Sequence, residues 1–182
     1  ARDQMGLSKL AYQFLGGVLH NADALTAVFN PTVNSYKRID AQVTLPGATW
    51  SPNAITYGGN NRTHMVRVPD AGRFELRLMD GAVNPYLLQA GVLASGLDGV
   101  VSKRDPGKPL DINMYTHGHT LKGVRRLPSN LLDAIRLFEK SKVLRAGLGD
   151  ALIDSYAKLK HQDWRNYSAS ISQWEREHTL DC

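Results

Sequence analysis

Apolar residues near the start of the chain recur at the spacing of an amphipathic helix. Between residues 7 and 19 they follow one another at intervals of three or four, which predicts one helix over residues 7–29. Ser8 is a candidate N-cap, because its side-chain oxygen can accept a hydrogen bond from a free backbone N–H. Gly16 and Gly17 lie inside this helix, where glycine lowers helix stability. We therefore expect another element to pack closely against the helix at this pair.

Further along, charged and apolar residues alternate as in a β-hairpin. Residues 63–68 and 73–78 are predicted strands, and the P-D-A-G sequence between them is a strong turn signal. Alternate residues of a strand point to opposite faces, so Arg73, Glu75 and Arg77 share one face and the apolar residues between them share the other. Because the apolar face must be buried, the charged face lies either in solvent or in a polar cavity.

Helical patterns return after the hairpin. An N-P pair at residues 84–85 opens a helix that continues to the glycines near residue 99, and Ser129 is the candidate N-cap of another. Two more helices are predicted over residues 149–167 and 174–180. The order of helix, mostly antiparallel strands and then helices predicts an α+β fold.

Composition places the chain among ordinary globular proteins. It has 182 residues, of which 42% are hydrophobic and 21% are charged, so one domain or one large part of a domain is expected. The formal net charge of +5 mildly suggests an anionic partner, although a solvated basic surface is the better explanation of net charge alone. Nucleic-acid binding would need a contiguous basic surface, and we expect the arginines to converge in a cleft instead.

Cysteine usage and hydropathy indicate the compartment. The single cysteine, Cys182, excludes a disulfide within the chain, and no cysteine–histidine spacing indicates a zinc site. No apolar stretch approaches the ~20 residues that span a bilayer. We expect a cytoplasmic protein that has no membrane partner. The start at Ala1, without methionine or the features of a signal peptide, leads us to expect that upstream sequence is missing.

The predicted hairpin gathers four arginines around one carboxylate, namely Arg62, Arg67, Arg73 and Arg77 around Glu75. An arginine guanidinium binds phosphate or carboxylate through two parallel hydrogen bonds. A carboxylate in such a cluster can bind a hard cation such as magnesium. Phosphoryl transfer needs this combination, because cations must neutralise the charge on the phosphate oxygens. The alternative is a solvated strand face whose surface ion pairs contribute little.

Five segments resemble the glutamine synthetase family, in that family's order and at similar spacing. They are N-P-T-V-N-S-Y-K-R at residues 30–38, N-R-T with V-R-V-P at 61–69, R-F-E-L-R at 73–77, A-V-N-P-Y-L at 82–87 and A-S-G-L-D-G at 94–99. The resemblance is strong from residue 7 to about residue 99 and loose beyond it. It implies that residues 1–182 are the C-terminal portion of the family's catalytic domain, with antiparallel strands of a curved sheet packed with helices, and that the N-terminal domain and the first catalytic half are absent.

The resemblance also implies an activity and its cofactors. Family members use ATP and Mg²⁺ or Mn²⁺ to convert the glutamate side chain into an acyl phosphate, from which an amine then displaces phosphate. At the matching position, Glu75 resembles a ligand of the second active-site metal. The family's other metal-binding glutamates, its His-x-His segment and its glycine-rich nucleotide loop have no match here. A catalytically incomplete fragment with only structural or interaction value is therefore the competing interpretation.

The arginines take their implied roles from the same motifs. Arg38 and Arg77 resemble the residues that hold glutamate. Arg62 resembles the arginine beside the transferring phosphate, so that Arg62 and Arg77 are the implied catalytic residues. Arg67 and Arg73, with Arg62, resemble the contacts to the phosphates of ATP. Family active sites form between neighbouring subunits, which implies a homo-oligomer, a dodecamer of two stacked hexameric rings.

One position departs from ordinary glutamine synthetases. In G-A-T-W-S-P at residues 47–52, Trp50 stands where the family has a flap glutamate that helps to bind and deprotonate ammonium. Tryptophan cannot do acid–base work, but its ring can form an apolar or cation–π wall for an alkylammonium. Trp50, the long segment before it and the ending at residues 174–182 resemble the class III relatives that act as glutamate–methylamine ligases. The alternative is that Trp50 is a packed loop residue and that ammonia remains the amine.

Overall fold

A computed structural model describes residues 5–39, 41 and 51–179. Within these ranges the α-helices are α1 Lys9–His20, α2 Ala22–Phe29, α3 Pro85–Val101, α4 Met114–His117, α5 Leu131–Lys140, α6 Lys142–Leu148, α7 Asp150–Ser168 and α8 Gln173–His178. The β-strands are β1 Tyr57–Gly58, β2 Val66–Asp70 and β3 Arg73–Leu76. Short 3-10 helices cover Val33–Lys37 and Gly118–Thr120. This small open sheet surrounded by helices confirms the predicted α+β class.

The predicted first helix is two helices, so the expectation of one continuous helix was wrong. Ser8 caps α1 as predicted, because its Oγ accepts a hydrogen bond from the Ala11 N–H at 3.2 Å. The break falls at Asn21, whose backbone leaves helical geometry at φ −98° and ψ 6°. The Asn21 side chain donates to the Gly17 carbonyl oxygen at 2.9 Å. Asparagine side chains that bond nearby backbone groups in this way compete with regular helix hydrogen bonds.

The glycine pair of α1 lies where the sequence predicts close packing. Gly17 faces Gly99 on α3, and Gly16 faces the backbone of Arg104 just beyond α3. These contacts bring α1 and α3 together along one side of the molecule.

The sheet runs in the order β1-β2-β3, with β2 and β3 antiparallel as predicted. β1 pairs with β2 in parallel, through Tyr57 with Val66, which is compatible with the expected mostly antiparallel strands but was not itself predicted. The chain between these two strands, residues 59–65, loops out and returns instead of reversing in a tight turn, and a parallel pair needs this kind of connection.

A two-residue turn joins β2 to β3. Asp70 pairs with Arg73 across it, which leaves Ala71 and Gly72 as the turn residues. Gly72 has φ +86°, a left-handed conformation that glycine adopts without strain. The predicted hairpin is therefore confirmed, with its tip one residue later than the centre of the P-D-A-G sequence.

The register of the hairpin changes below its tip. The tip pairing, continued straight, would place Arg67 opposite Leu76. Instead Arg67 pairs with Glu75, because a β-bulge lies between Arg67 and Asp70. Pro69 lies in this shifted stretch and has no N–H to donate to the partner strand, which is typical of prolines found at bulges.

The core lies between α2, α5, α7 and the apolar side of the sheet. Its fully buried large residues include Phe29, Phe138, Leu25, Ile135 and Met65. The N-cap of α5 is Asn130, whose Oδ1 accepts from the Asp133 N–H at 2.9 Å, so the predicted cap at Ser129 was wrong by one residue. None of the helices in the described part of the chain is long and apolar enough to cross a membrane.

Candidate active site

The carboxylate of Glu75 lies between two arginines. Arg67 Nη1 donates to Glu75 Oε2 at 2.7 Å, and Arg77 Nη1 donates to Glu75 Oε1 at 2.8 Å. Arg67 is directly opposite Glu75 on the neighbouring strand, and cross-strand partners point to the same face of a sheet. The structure therefore joins three residues of the predicted site on one surface of the hairpin.

The two arginines determine the charge of Glu75. Burial raises the pKa of Glu75, but the hydrogen bonds and positive charges of Arg67 and Arg77 outweigh that effect and hold its pKa below the usual value. The lowered pKa means that Glu75 is an ionised carboxylate. Because its side chain is 40% exposed, a ligand can still reach it.

Arg67 is fixed on its other side by Asn60, a residue that the sequence analysis did not single out. Asn60 Oδ1 accepts two hydrogen bonds from this guanidinium, from Nε at 2.9 Å and from Nη2 at 2.6 Å. The side chain of Arg67 is only 15% exposed. Asn60 directly precedes the N-R-T motif, and this position is the only sequence signal that could have indicated it.

Arg38 joins the end of α2 to the end of β3. Its Nη2 donates to the Leu78 carbonyl oxygen at 2.9 Å and to Asn30 Oδ1 at 3.2 Å. Burial lowers the pKa of Arg38, and the negative charge of Asp80 partly opposes this. The contact with Leu78 places the Arg38 guanidinium beside the backbone of the residue that follows Arg77.

Arg62 lies exposed at a turn that is held by the residues on either side of it. Asn61 Oδ1 accepts from the Thr63 N–H at 2.9 Å and from Thr63 Oγ1 at 2.7 Å. Asn61 Nδ2 donates to the Ile112 carbonyl oxygen at 2.8 Å, and Thr63 Oγ1 accepts from the Met114 N–H at 2.9 Å. The backbone that carries Arg62 is thereby tied to the segment that leads into α4.

One further predicted site residue lies apart from the pairing at Glu75. Arg73 is at the tip of the hairpin, where it pairs with Asp70 at 2.8 Å, and their side chains are 67% and 70% exposed. Trp50 lies outside the described residues.

A comparison with known families decides what kind of chain this is. The family described as "Glutamine synthetase, catalytic domain" matches residues 1–179. The chain belongs to the glutamine synthetase family. The recognition made from the five sequence motifs is therefore confirmed.

Individual relatives agree with this assignment. A protein named "Glutamine synthetase" from Rhizobium leguminosarum bv. phaseoli is 58% identical over 176 residues, covering 97% of this chain and 40% of that protein. A "Glutamate--methylamine ligase" from Methyloversatilis universalis is 46% identical over 174 residues, covering 94% of this chain and 39% of that protein. A solved structure described as "GmaS/ADP complex-Conformation 1" is 58% identical with a TM-score of 0.93, covering 100% of this chain and 42% of that chain.

This chain of the glutamine synthetase family therefore spans about two fifths of the length of the relatives that it matches. The matched part is their C-terminal part.

The divalent cation expected for a glutamine synthetase can be compared with the residues present. Across residues 5–39, 41 and 51–179, no three acidic, histidine or cysteine side chains form a group that could hold a metal ion. Glu75 fits as one ligand, because its carboxylate is ionised and accessible, and each of its oxygens keeps a lone pair besides the one that accepts from arginine.

Proposed function

We propose that the protein to which this chain belongs ligates the γ-carboxylate of glutamate to a small amine, methylamine in the first place, at the expense of ATP. The observation that carries the proposal is the Glu75 carboxylate held between Arg67 and Arg77 in a chain of the glutamine synthetase family. One anionic metal ligand flanked by cations suits a reaction in which phosphate charge is moved and neutralised.

In the first step, a γ-carboxylate oxygen of glutamate attacks the γ-phosphorus of ATP and ADP leaves, which gives γ-glutamyl phosphate. Arg38 and Arg77 bind glutamate, and the hydrogen bond that holds Arg38 to the backbone carbonyl oxygen of Leu78, next in the chain to Arg77, supports this assignment. Arg62, Arg67 and Arg73 bind the phosphates of ATP, with Arg62 beside the phosphoryl group in transfer. A Mg²⁺ or Mn²⁺ ion bound by Glu75 would supply further positive charge at the phosphates.

In the second step, the amine nitrogen attacks the γ-carbonyl carbon of the acyl phosphate. The carbon–oxygen bond to phosphate breaks, inorganic phosphate leaves and the nitrogen loses a proton, so the product from methylamine is γ-glutamylmethylamide. The developing charge is again negative, which is why the same arginines serve both steps. Trp50 forms the wall of the amine site in this proposal.

Methylamine is favoured by the tryptophan at residue 50 and by the relative named "Glutamate--methylamine ligase". Ammonia is the second candidate, favoured by the relatives named "Glutamine synthetase" at 58% and 55% identity. The two amines differ by one methyl group, which a hydrophobic pocket discriminates by ~1–3 kcal/mol. The choice therefore rests on the contacts of the amine and not on the phosphoryl-transfer machinery that both reactions share.

A steady-state comparison on the full-length enzyme tests the proposal. ATP-dependent formation of phosphate is measured with glutamate and either methylamine or ammonium chloride, and the amide product is identified by mass. A higher kcat/KM for methylamine is expected. A kcat/KM for ammonia well above that for methylamine would contradict methylamine as the amine and would favour the glutamine synthetase reaction.

Absence of any glutamate-dependent ATP turnover in the full-length protein would contradict the ligase itself. The third candidate, a chain with only a structural or interaction role, would then remain. It is favoured by the lack, among the described residues, of three side chains grouped so that they could hold a metal ion.

We further propose that the ligase is a homo-oligomer, a dodecamer of two hexameric rings, whose active sites form between neighbouring subunits. The particle mass of the purified full-length enzyme tests this, and a monomer with full activity would contradict it.

A further inference from the structure

The side chain of Asn60 contacts Arg67 in a way that specifies which edge of the guanidinium remains available. An arginine presents five N–H donors, one on Nε and two on each terminal nitrogen. Nε and one donor of Nη2 bind Asn60, and one donor of Nη1 binds Glu75. One donor on Nη1 and one on Nη2 are left, and the free hydrogen of Nη2 lies at the end of the guanidinium, away from Nε.

These contacts hold Arg67 at two points. If Asn60 were absent, the single bond to Glu75 would let the guanidinium pivot around Nη1. Asn60 is exposed, so water can take up the two freed donors, but a mobile water does not fix the direction of the guanidinium as the amide oxygen does. Glu75 would then lose the fixed direction of one of its two arginine partners.

The turn that contains Asn60 does not need this side chain for its shape. Asn61 holds the turn through Thr63 and Ile112. The two hydrogen bonds of Asn60 go to Arg67, which lies seven residues away on β2. The contact therefore orients a site residue and does not build the loop.

We propose that Asn60 is a positioning residue for the ligase: it locks Arg67 so that Nη1 orients the Glu75 carboxylate and the end of the guanidinium faces the phosphates of ATP. The geometry of Asn60, Arg67 and Glu75 stands by itself, while its consequence for ATP and metal rests on the proposed function. Residues that orient metal ligands through hydrogen bonds typically change metal affinity or activity by ~10–100-fold when they are removed.

Two substitutions in the full-length enzyme separate this role from a general loss of structure. Asn60→Ala removes the acceptor, and Asn60→Asp keeps an oxygen that can accept both hydrogen bonds. Asn166→Ala, at an exposed asparagine on α7, is the matched control. Mn²⁺ affinity is measured by calorimetry without nucleotide or amine, together with the thermal midpoint and a crystal structure of the alanine variant.

We expect Asn60→Ala to bind Mn²⁺ about 10-fold more weakly, with an unchanged thermal midpoint and with Arg67 turned away from Glu75. Asn60→Asp should recover most of the affinity, and the control should match the wild type. Unchanged Mn²⁺ affinity with an unmoved Arg67 in the alanine variant would overturn the proposal. Equal weakening in the alanine and aspartate variants would also overturn it, because the acceptor would then be irrelevant.

The same experiment keeps the two proposals apart. If the wild-type enzyme binds no Mn²⁺, the proposed metal site fails, and the position of Arg67 in the crystal structure of Asn60→Ala decides the role of Asn60. If Mn²⁺ affinity changes as expected but no ligase activity is found, the proposed function fails while Asn60 keeps its positioning role.

Discussion

Gly17 on α1 and Gly99 on α3 approach each other so closely that neither position has space for a side chain. A Cβ atom built on Gly17 would lie 2.6 Å from the Cα of Gly99, and one built on Gly99 would lie 2.6 Å from the Cα of Gly17. Both obstacles are backbone atoms, which cannot turn aside as a flexible side chain can. The separation of the two helices is thus set by this pair of glycines.

Alanine at Gly17 should therefore force α1 and α3 apart. We expect a loss of ~1–3 kcal/mol in the free energy of unfolding, the usual cost of overpacking, at the upper end because backbone must move. Thermal melting measures the effect. Gly81→Ala is the control, since nothing lies within 4 Å of its added Cβ, and a fall in midpoint as large as that of Gly17→Ala would contradict the packing argument.

Glu75→Gln should remove the charge that Arg67 and Arg77 hold in place. The amide has nearly the same shape but binds a divalent cation poorly, and its NH₂ group faces arginine donors. We expect kcat of the full-length ligase to fall by about 100-fold or more, as when one main electrostatic contact to the transition state is removed. Weaker Mn²⁺ binding should accompany it.

Glu177→Gln is the matched control for that substitution. Glu177 is an exposed glutamate on α8 whose side chain accepts from Gln173, so the same change of charge is made away from the hairpin. If Glu177→Gln reduced kcat as much as Glu75→Gln, general charge and not a specific site at Glu75 would be responsible.

Trp50→Glu should move the amine preference toward ammonia. A carboxylate at this position can bind ammonium and take its proton, whereas the indole provides an apolar wall for the methyl group. We expect the ratio of kcat/KM for methylamine to that for ammonia to fall by about 10-fold, one methyl group being the difference between the two amines. Trp50→Phe keeps an aromatic wall and should keep the preference. A ratio that stays constant in both variants would exclude Trp50 from the amine site.

His64 should make the protein less stable in mild acid. It is fully buried beside Thr56, whose Oγ1 lies 3.0 Å from its Nδ1. Burial lowers the pKa of His64 below its ordinary value, while the charge of Asp111 opposes the shift without cancelling it. The unfolded chain then takes up a proton before the folded one as pH falls. The stability that the neutral imidazole confers is complete above a pH of about 6.5 and declines below it.

Thermal midpoints between about pH 7.5 and pH 5 measure this dependence on the full-length enzyme. His64→Gln should flatten the decline, whatever its effect on the midpoint at neutral pH, because the titrating group is gone. His119→Gln, at an exposed histidine, should keep the wild-type slope. An unchanged slope in His64→Gln would show that other groups cause any loss of stability in acid.

Local sequence signals predicted the features that depend on a few neighbouring residues. Ser8 and Asn84 cap their helices because a side-chain oxygen needs only the next backbone N–H groups to do so. The alternation of residues along the predicted strand placed Glu75 and Arg77 on one face, because it too depends only on residues that are close in sequence. The break at Asn21 was missed, because the helical periodicity of the apolar residues continues across it.

The rest of the site depends on contacts between distant residues. Arg67 lies opposite Glu75 because of the register between β2 and β3. Counting back from the turn alone would have paired Arg67 with Leu76. In the sequence, Asn60 is one of several polar residues of a G-G-N-N turn, and nothing there indicates its contact. Its role is evident only from the direction of the Arg67 side chain, which donates to it. The parallel pairing of β1 likewise depends on where the chain returns after residues 59–65.

Because the bulge between Arg67 and Asp70 sets the register of the hairpin, the number of residues in β2 matters as much as their identity. Adding one residue there, with the bulge kept, would shift β2 against β3 by one position, and every β2 side chain beyond the insertion would change faces at once. Arg67 would then face Leu76, and the carboxylate would lose one partner without any mutation of a charged residue. Libraries aimed at a new amine should therefore keep the number of residues between Arg67 and Asp70 constant, since an insertion there would disable the site while leaving every one of its side chains in the sequence.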